Sequence, residues 1–196
     1  MTAANKEHRY LGKTDEPLCE AGIRQLQEAQ WNAAVHPEIV LVSPMLRCRE
    51  SAGLLFSNVP MLEIPQWCEM DFGEFERKNY EELNGNPAYQ AWIDSGGTIA
   101  FPGGESRKEF SQRVVEGMEI AADYLREQLQ QRACPECDTC GGMCVAAVVH
   151  GGTIMAILDH YCEGDYYDYQ VENGGGYHCR LTLDSEKIKI RILSII

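Results

Sequence analysis

Ser43-Pro44-Met45-Leu46-Arg47-Cys48-Arg49-Glu50-Ser51-Ala52 and Val148-Val149-His150-Gly151-Gly152-Thr153 are the two stretches that decide the fold. Each follows a short apolar run, Ile39 to Val42 in the first case and Val145 to Val149 in the second, and each opens a segment of helical type. Continuous apolar runs of this length fit strands covered on both faces, as in a parallel sheet. Each stretch therefore places one cationic or titratable side chain, Arg47 or His150, at a strand's carboxyl end, where open α/β sheets bind ligands. Brought together, the two make a pocket for an anion. Arginine's planar fork suits phosphate oxygens, and the first turn of a helix offers unpaired N–H groups. The same residues also fit plainer roles, Arg47 as an exposed charge on a surface helix and His150 as a satisfied buried imidazole.

Outward from these stretches, the spacing of Leu18, Gly22, Leu26, Ala29 and Ala33 predicts a helix over 17–34, with Asp15 as its N-cap. Residues 45–56 read as a helix and 61–64 as a strand; 80–83 and 87–93 read as short helices. Phe110, Val114, Met118, Ala121, Leu125 and Leu129 form one stripe of a long amphipathic helix over 105–131. Another helix is expected over 153–161, then two alternating, half-exposed antiparallel strands over 177–183 and 188–192. Strand and helix alternate through most of the chain. The expected class is α/β, a three-layer α/β/α arrangement with a mostly parallel central sheet, in one domain over 1–196. Asn5 to Gly12 reads as a loop. Glu69 opens an acidic loop with two aromatics, where desolvation can hold a carboxyl's proton, so it is a candidate general acid; most acidic residues around it read as solvated.

A formal net charge of −13 argues against nucleic acid and anionic lipid as partners, since both need a basic stripe. No apolar run approaches about 18 residues and no signal pattern opens the chain, so a soluble, cytoplasmic protein acting on a small molecule is expected. Nine cysteines are read as reduced thiols or metal ligands rather than a disulfide framework. Cys134, Cys137, Cys140 and Cys144 form a C-x2-C-x2-C-x3-C run, an insertion at 134–144. Four thiolates there could close a tetrahedron around a structural zinc; an iron–sulfur cluster and unliganded thiols are the other readings, and no other cofactor is expected.

Taken in order, these motifs resemble the histidine phosphatase superfamily, also called phosphoglycerate mutase-like, over nearly the whole chain. Asn5 with Arg9-Tyr10-Leu11-Gly12-Lys13-Thr14-Asp15-Glu16-Pro17-Leu18 is similar to the loop after that family's first strand. Ser43 to Arg47 with Glu50-Ser51-Ala52 is similar to its second signature, and Glu69 with Asp71-Phe72-Gly73 to its acid-bearing loop. Phe101 to Ser106, followed by Phe110 and Arg113, resembles the α-ribazole phosphatase and broad phosphatase branch; Val149 to Gly152 resembles the second histidine motif. The resemblance implies hydrolysis of a small phosphorylated metabolite through a phosphohistidine. Arg47 and His150 would hold phosphoryl oxygens, and Glu69 would serve as acid and then base. Asn5, Arg9, Leu11 and Gly12 would line the substrate entrance, with Gly151 letting the backbone approach the ligand. No metal is needed. Family members open with a strand ending in Arg-His-Gly, whose histidine is the nucleophile. Alignment on Thr2 and Asn5 would put that tripeptide immediately before Met1, and His8 falls in the following loop instead. A start-site or truncation artefact is the expectation, with negligible turnover as written and a sheet weakened by its missing first strand. A phosphoglycerate mutase-type phosphotransferase and a non-catalytic phosphate-binding or regulatory relative are the alternatives.

Overall fold

The structure, a computed structural model, describes residues 1–29, 35–132, 142–184 and 187–196. Its centre is β1 (Ile39–Val42), in which all four residues are buried. β1 pairs in parallel with β2 (Met61–Glu63) on one edge, Val40 opposite Met61, and with β3 (Val145–Val148) on the other, Ile39 opposite Val145 and Val42 opposite Val148. Alternate side chains of β1 go to opposite faces, which is why the run is apolar throughout. Ile39 and Leu41 join Trp67, Phe75 and the buried stripe of α6 (Arg107–Arg132), namely Phe110, Val114, Met118, Ala121 and Leu125. Val40 and Val42 face Cys48, Ala52 and Phe56 at α3 (Leu46–Leu55) and its end. A parallel sheet between helix layers is thus present as expected.

The remaining helices are α1 (Ala3–Lys6), α2 (Glu20–Glu28), α4 (Tyr80–Leu83), α5 (Pro87–Asp94) and α7 (Gly151–Tyr161). The antiparallel strands are β4 (Tyr177–Leu183) and β5 (Ile188–Ile195), with an irregular step between His178 and Cys179. They form their own two-stranded sheet, and Leu181, Leu183, Ile188 and Ile190 pack on the same core as β1. Among the described residues no strand pairs with the outer edge of β3 or of β4. No described helix is long and apolar enough to cross a membrane.

Three expectations change. The helix predicted from residue 17 begins at Glu20 and is described to Glu28; residues 30–34 lie outside the described residues. Its proposed cap is used elsewhere, for Asp15 accepts the amide of Leu46 at 2.6 Å, at the start of α3. Leu18 instead donates its amide to Glu50 at 2.7 Å. The loop predicted over 5–12 begins inside a single helical turn, since Thr2 and Asn5 cap each other's backbone. The strand over 145–149, read as buried, is half-buried with Ala147 exposed, because one of its edges has no neighbour.

Candidate active site

The register of β1 and β3 brings the two opening stretches together. Ser43 donates its amide to the carbonyl of Val148 at 3.1 Å, one step beyond the Val42–Val148 pair, and its side chain lies beside the residue where β3 gives way to α7. That residue is His150, the N-cap of α7. Ser43 Oγ is 2.7 Å from His150 Nε2, and Cys48 Sγ, in the first turn of α3, is 3.6 Å from both ring nitrogens. Ser43, Cys48 and His150 are all buried. Burial holds the imidazole well below the ordinary histidine range, and the charges of Arg47 and Arg113 push the same way. The Cys48 thiol is pushed up to about 12, chiefly by burial. The histidine is therefore a neutral imidazole and the cysteine a protonated thiol near neutral pH.

Arg47 is 8% exposed. Its guanidinium donates to the carbonyls of Thr14 at 3.0 Å, Gly12 at 3.2 Å and Leu11 at 3.3 Å, tying the 11–14 loop over the carboxyl end of β1. Leu11 is buried, and Gly12 must be glycine, since a Cβ there would lie 1.9 Å from the carbonyl of Met70. The Gly12 and Thr14 amides are taken by the Glu76 carboxylate at 2.9 and 3.0 Å.

Glu69 enters from the other side. Its Oε1 accepts the amide of Met70 at 2.9 Å and lies against the first turn of α7. Desolvation raises its pKa, and the amides of Met70 and Gly152 with the charges of Arg47 and Arg113 only partly offset this. Arg113 holds the loop, donating to the carbonyls of Gln66 at 2.6 Å, Cys68 at 3.0 Å and Glu69 at 3.4 Å while Glu105 braces it at 2.8 and 2.9 Å. The arrangement gathers a cation, a neutral imidazole, a helix N-terminus and a carboxyl whose pKa burial raises. Such a set can bind an oxyanion and give a proton to an oxygen leaving it.

Sequence reasoning named Arg47, His150 and Glu69, and the structure brings these three into one electrostatic cluster. It singled out Gly151, where a Cβ would meet nothing within 4 Å, whereas the constrained glycine is Gly152: a Cβ there would lie 2.6 Å from Glu69 Oε1 and 3.2 Å from Phe110. It also passed over Ser43 as a partner of His150. The signal available was parity, since Ser43 follows directly on a strand paired with the one that leads to His150. Thr153 Oγ1, on the same turn as Gly152, is buried without a hydrogen-bond partner among the described residues.

Asn5 and Arg9 lie farther out, with His8, Tyr10, Tyr80 and Asn173, around an open pocket of about 360 Å³ whose walls do not include Arg47, His150 or Glu69. Cys134, Cys137 and Cys140 lie outside the described residues; Cys144 is exposed, its amide donated to Glu38 at 3.1 Å.

A family model described as the histidine phosphatase superfamily (branch 1) matches residues 1–194. Adenosylcobalamin/α-ribazole phosphatase of Escherichia coli K12 is 33% identical over 118 residues, which are 58% of each chain. An uncharacterized phosphatase of Bacillus subtilis, PhoE, is 24% identical over 82% of this chain and 72% of its own. In structure, the α-ribazole phosphatase of Shigella flexneri superimposes with a TM-score of 0.75 at 23% identity, covering 98% of this chain and 91% of that one. A phosphoglycerate mutase from Thermus thermophilus superimposes with a TM-score of 0.63 at 24% identity, covering 100% and 93%. At these identities the structural likenesses speak for the fold alone.

Proposed function

The chain belongs to the histidine phosphatase superfamily, and from that membership we propose that Arg47, His150 and Glu69 form a phosphoryl site for hydrolysing phosphomonoesters of small molecules. The observation that carries the reading is the convergence of Ser43, Arg47 and His150 at the ends of two adjacent parallel strands, with the Glu69 carboxyl across Gly152. Arg47 and the amides at the start of α7 supply positive potential for the non-bridging oxygens, and the Ser43 hydroxyl fixes the ring of His150. Glu69, its pKa raised by burial, gives its proton to the leaving alkoxide as the ester P–O bond breaks.

The two-step route implied by the family needs a second imidazole to attack phosphorus. Water then attacks the phosphohistidine, the Glu69 carboxylate takes the water's proton, and inorganic phosphate departs with the histidine restored. Among the described residues no second imidazole lies within hydrogen-bond reach of Ser43, Cys48 and His150. His8 stands in the turn after α1, His36 before β1, His160 in the last turn of α7 and His178 on β4. That observation favours a second reading, a protein that holds phosphate without turning it over.

Hydrolysis of p-nitrophenyl phosphate, with phosphate binding followed by NMR, tests both readings on these 196 residues and on the same chain carrying an added N-terminal strand that ends in Arg-His-Gly. Negligible turnover in the first and activity in the second supports the hydrolase. Inactivity of both with phosphate still bound supports the binder, and full activity of the shorter chain removes the need for a second histidine.

A further inference from the structure

The open pocket beside Asn5 shares a chain segment with the loop that holds Arg47. Arg9 and Tyr10 line it, and the same segment runs directly on to Leu11, Gly12 and Thr14, whose carbonyls hold Arg47. Arg9 is the permanently charged cation on its walls, yet that charge is already taken. Its Nε donates to Glu7 at 2.6 Å, and its terminal nitrogens donate to Glu82 at 2.6 and 3.0 Å and to the carbonyl of Arg77 at 2.6 Å. Two carboxylates, Glu7 and Glu82, are held against this one guanidinium, and Lys78 acts on Glu82 as well, so Arg9 has no charge to spare for a ligand. What lines the pocket besides is the Asn5 and Asn173 amides, the His8 imidazole and the rings of Tyr10 and Tyr80. Asn5 Oδ1 accepts from Thr2, and the Asn5 NH2 donates to no group among the described residues.

We propose that the alcohol part of an ester extends into this pocket and that Glu7, Arg9 and Glu82 act there as a charge filter that admits phosphomonoesters of neutral, hydrogen-bonding or aromatic alcohols and turns away those whose alcohol part carries a carboxylate. This rests on Arg47 and His150 holding the phosphoryl group. The filter would separate the hydrolase reading from a mutase-type one, since a phosphorylated hydroxy acid needs a free cation where Arg9 offers none.

Two isosteric esters differing only in charge, 4-carbamoylphenyl phosphate and 4-carboxyphenyl phosphate, are titrated into the chain by NMR at pH 8, where both phosphates are dianions. The carbamoyl ester should bind about fivefold tighter, as expected of one unfavourable, partly exposed charge contact. Glu82→Gln keeps a side chain able to cap α4 with Asn79 and frees Arg9, so it should strengthen binding of the carboxy ester alone and narrow the gap to under about twofold. Arg9→Gln, which leaves both carboxylates uncompensated, should widen it. Equal affinities in the unmodified chain, or an equal change of both esters in Glu82→Gln as a purely structural clamp would give, overturns the filter and leaves the phosphoryl site standing. Failure of both esters and of inorganic phosphate to bind overturns the site and the filter together.

Discussion

Gly151 and Gly152 are neighbours at the start of α7 with opposite constraints, and the difference is measurable. A methyl at 151 meets nothing within 4 Å, so Gly151→Ala should be neutral or stabilising by up to about 1 kcal/mol in chemical denaturation, from helix propensity. A methyl at 152 would press Glu69 Oε1 and the Phe110 ring, and the fully buried Phe110 cannot move without disturbing the core, so Gly152→Ala should cost about 1–3 kcal/mol. Equal effects at the two positions would mean that Glu69 is not seated against this turn. The titrating groups beside them set opposite pH slopes. His150 has a folded pKa below its unfolded value of 6.5, so the unfolded chain binds the extra proton and stability falls as pH drops from 6.5 toward the folded value. Glu69 has a folded pKa above its unfolded 4.5, so its contribution is present below 4.5 and is lost as pH rises through the folded value. Replacing His150 with Gln should flatten the slope below pH 6.5 and leave the Glu69 slope in place. Phosphate beside the imidazole adds negative charge, so its NMR titration should move upward when phosphate is added; an unmoved titration would place the anion elsewhere.

β3 is built like an interior strand and placed at an edge. Val145-Ala146-Ala147-Val148 carries no charge, no proline and no bulge, the devices that normally protect an edge. Carbonyls of Cys144 and Val148 accept from Glu38 and Ser43, so the even-numbered residues face β1 and the odd-numbered ones face the unpaired side. Amide exchange should therefore alternate along β3, fast at Val145 and Ala147 and slow at Ala146 and Val148; uniform protection would show that another strand covers this edge in solution. The strands themselves were legible, because continuous apolar runs report burial on both faces. That β3 and β4 stand in separate sheets among the described residues was not legible in the pattern. Pattern alone says which segments are strands and not which edges meet. Asp15 shows the same limit: its type marks a helix start, but the helix it caps is α3, 31 residues onward, rather than the one that follows it. At the site, Arg47 and His150 were readable from their place at strand ends. The choice between Gly151 and Gly152 was not, because it depends on a carboxylate delivered from a loop more than eighty residues earlier.

At the scale of the molecule, a phosphate dianion must approach a chain of net charge −13. Treated as a charge about 20 Å away, the radius of a compact chain of this length, the protein repels the dianion by roughly 5 kcal/mol in unscreened water. With a Debye length of about 30 Å at 0.01 M salt, roughly half of that repulsion survives; at about 8 Å, in 0.15 M salt, less than a tenth does. The attraction from Arg47 acts at short range inside the fold, where Arg47 and His150 are only 8% and 6% exposed and mobile ions scarcely enter, so salt weakens it less. The long-range term should therefore win in the salt dependence. Affinity for phenyl phosphate should rise, by up to about thirtyfold, between 0.01 and 0.15 M sodium chloride, the reverse of a site dominated by surface cations. Calorimetric titration at the two ionic strengths checks it. An affinity that falls with salt would mean that exposed basic groups, rather than the buried cluster at the ends of β1 and β3, hold the phosphate.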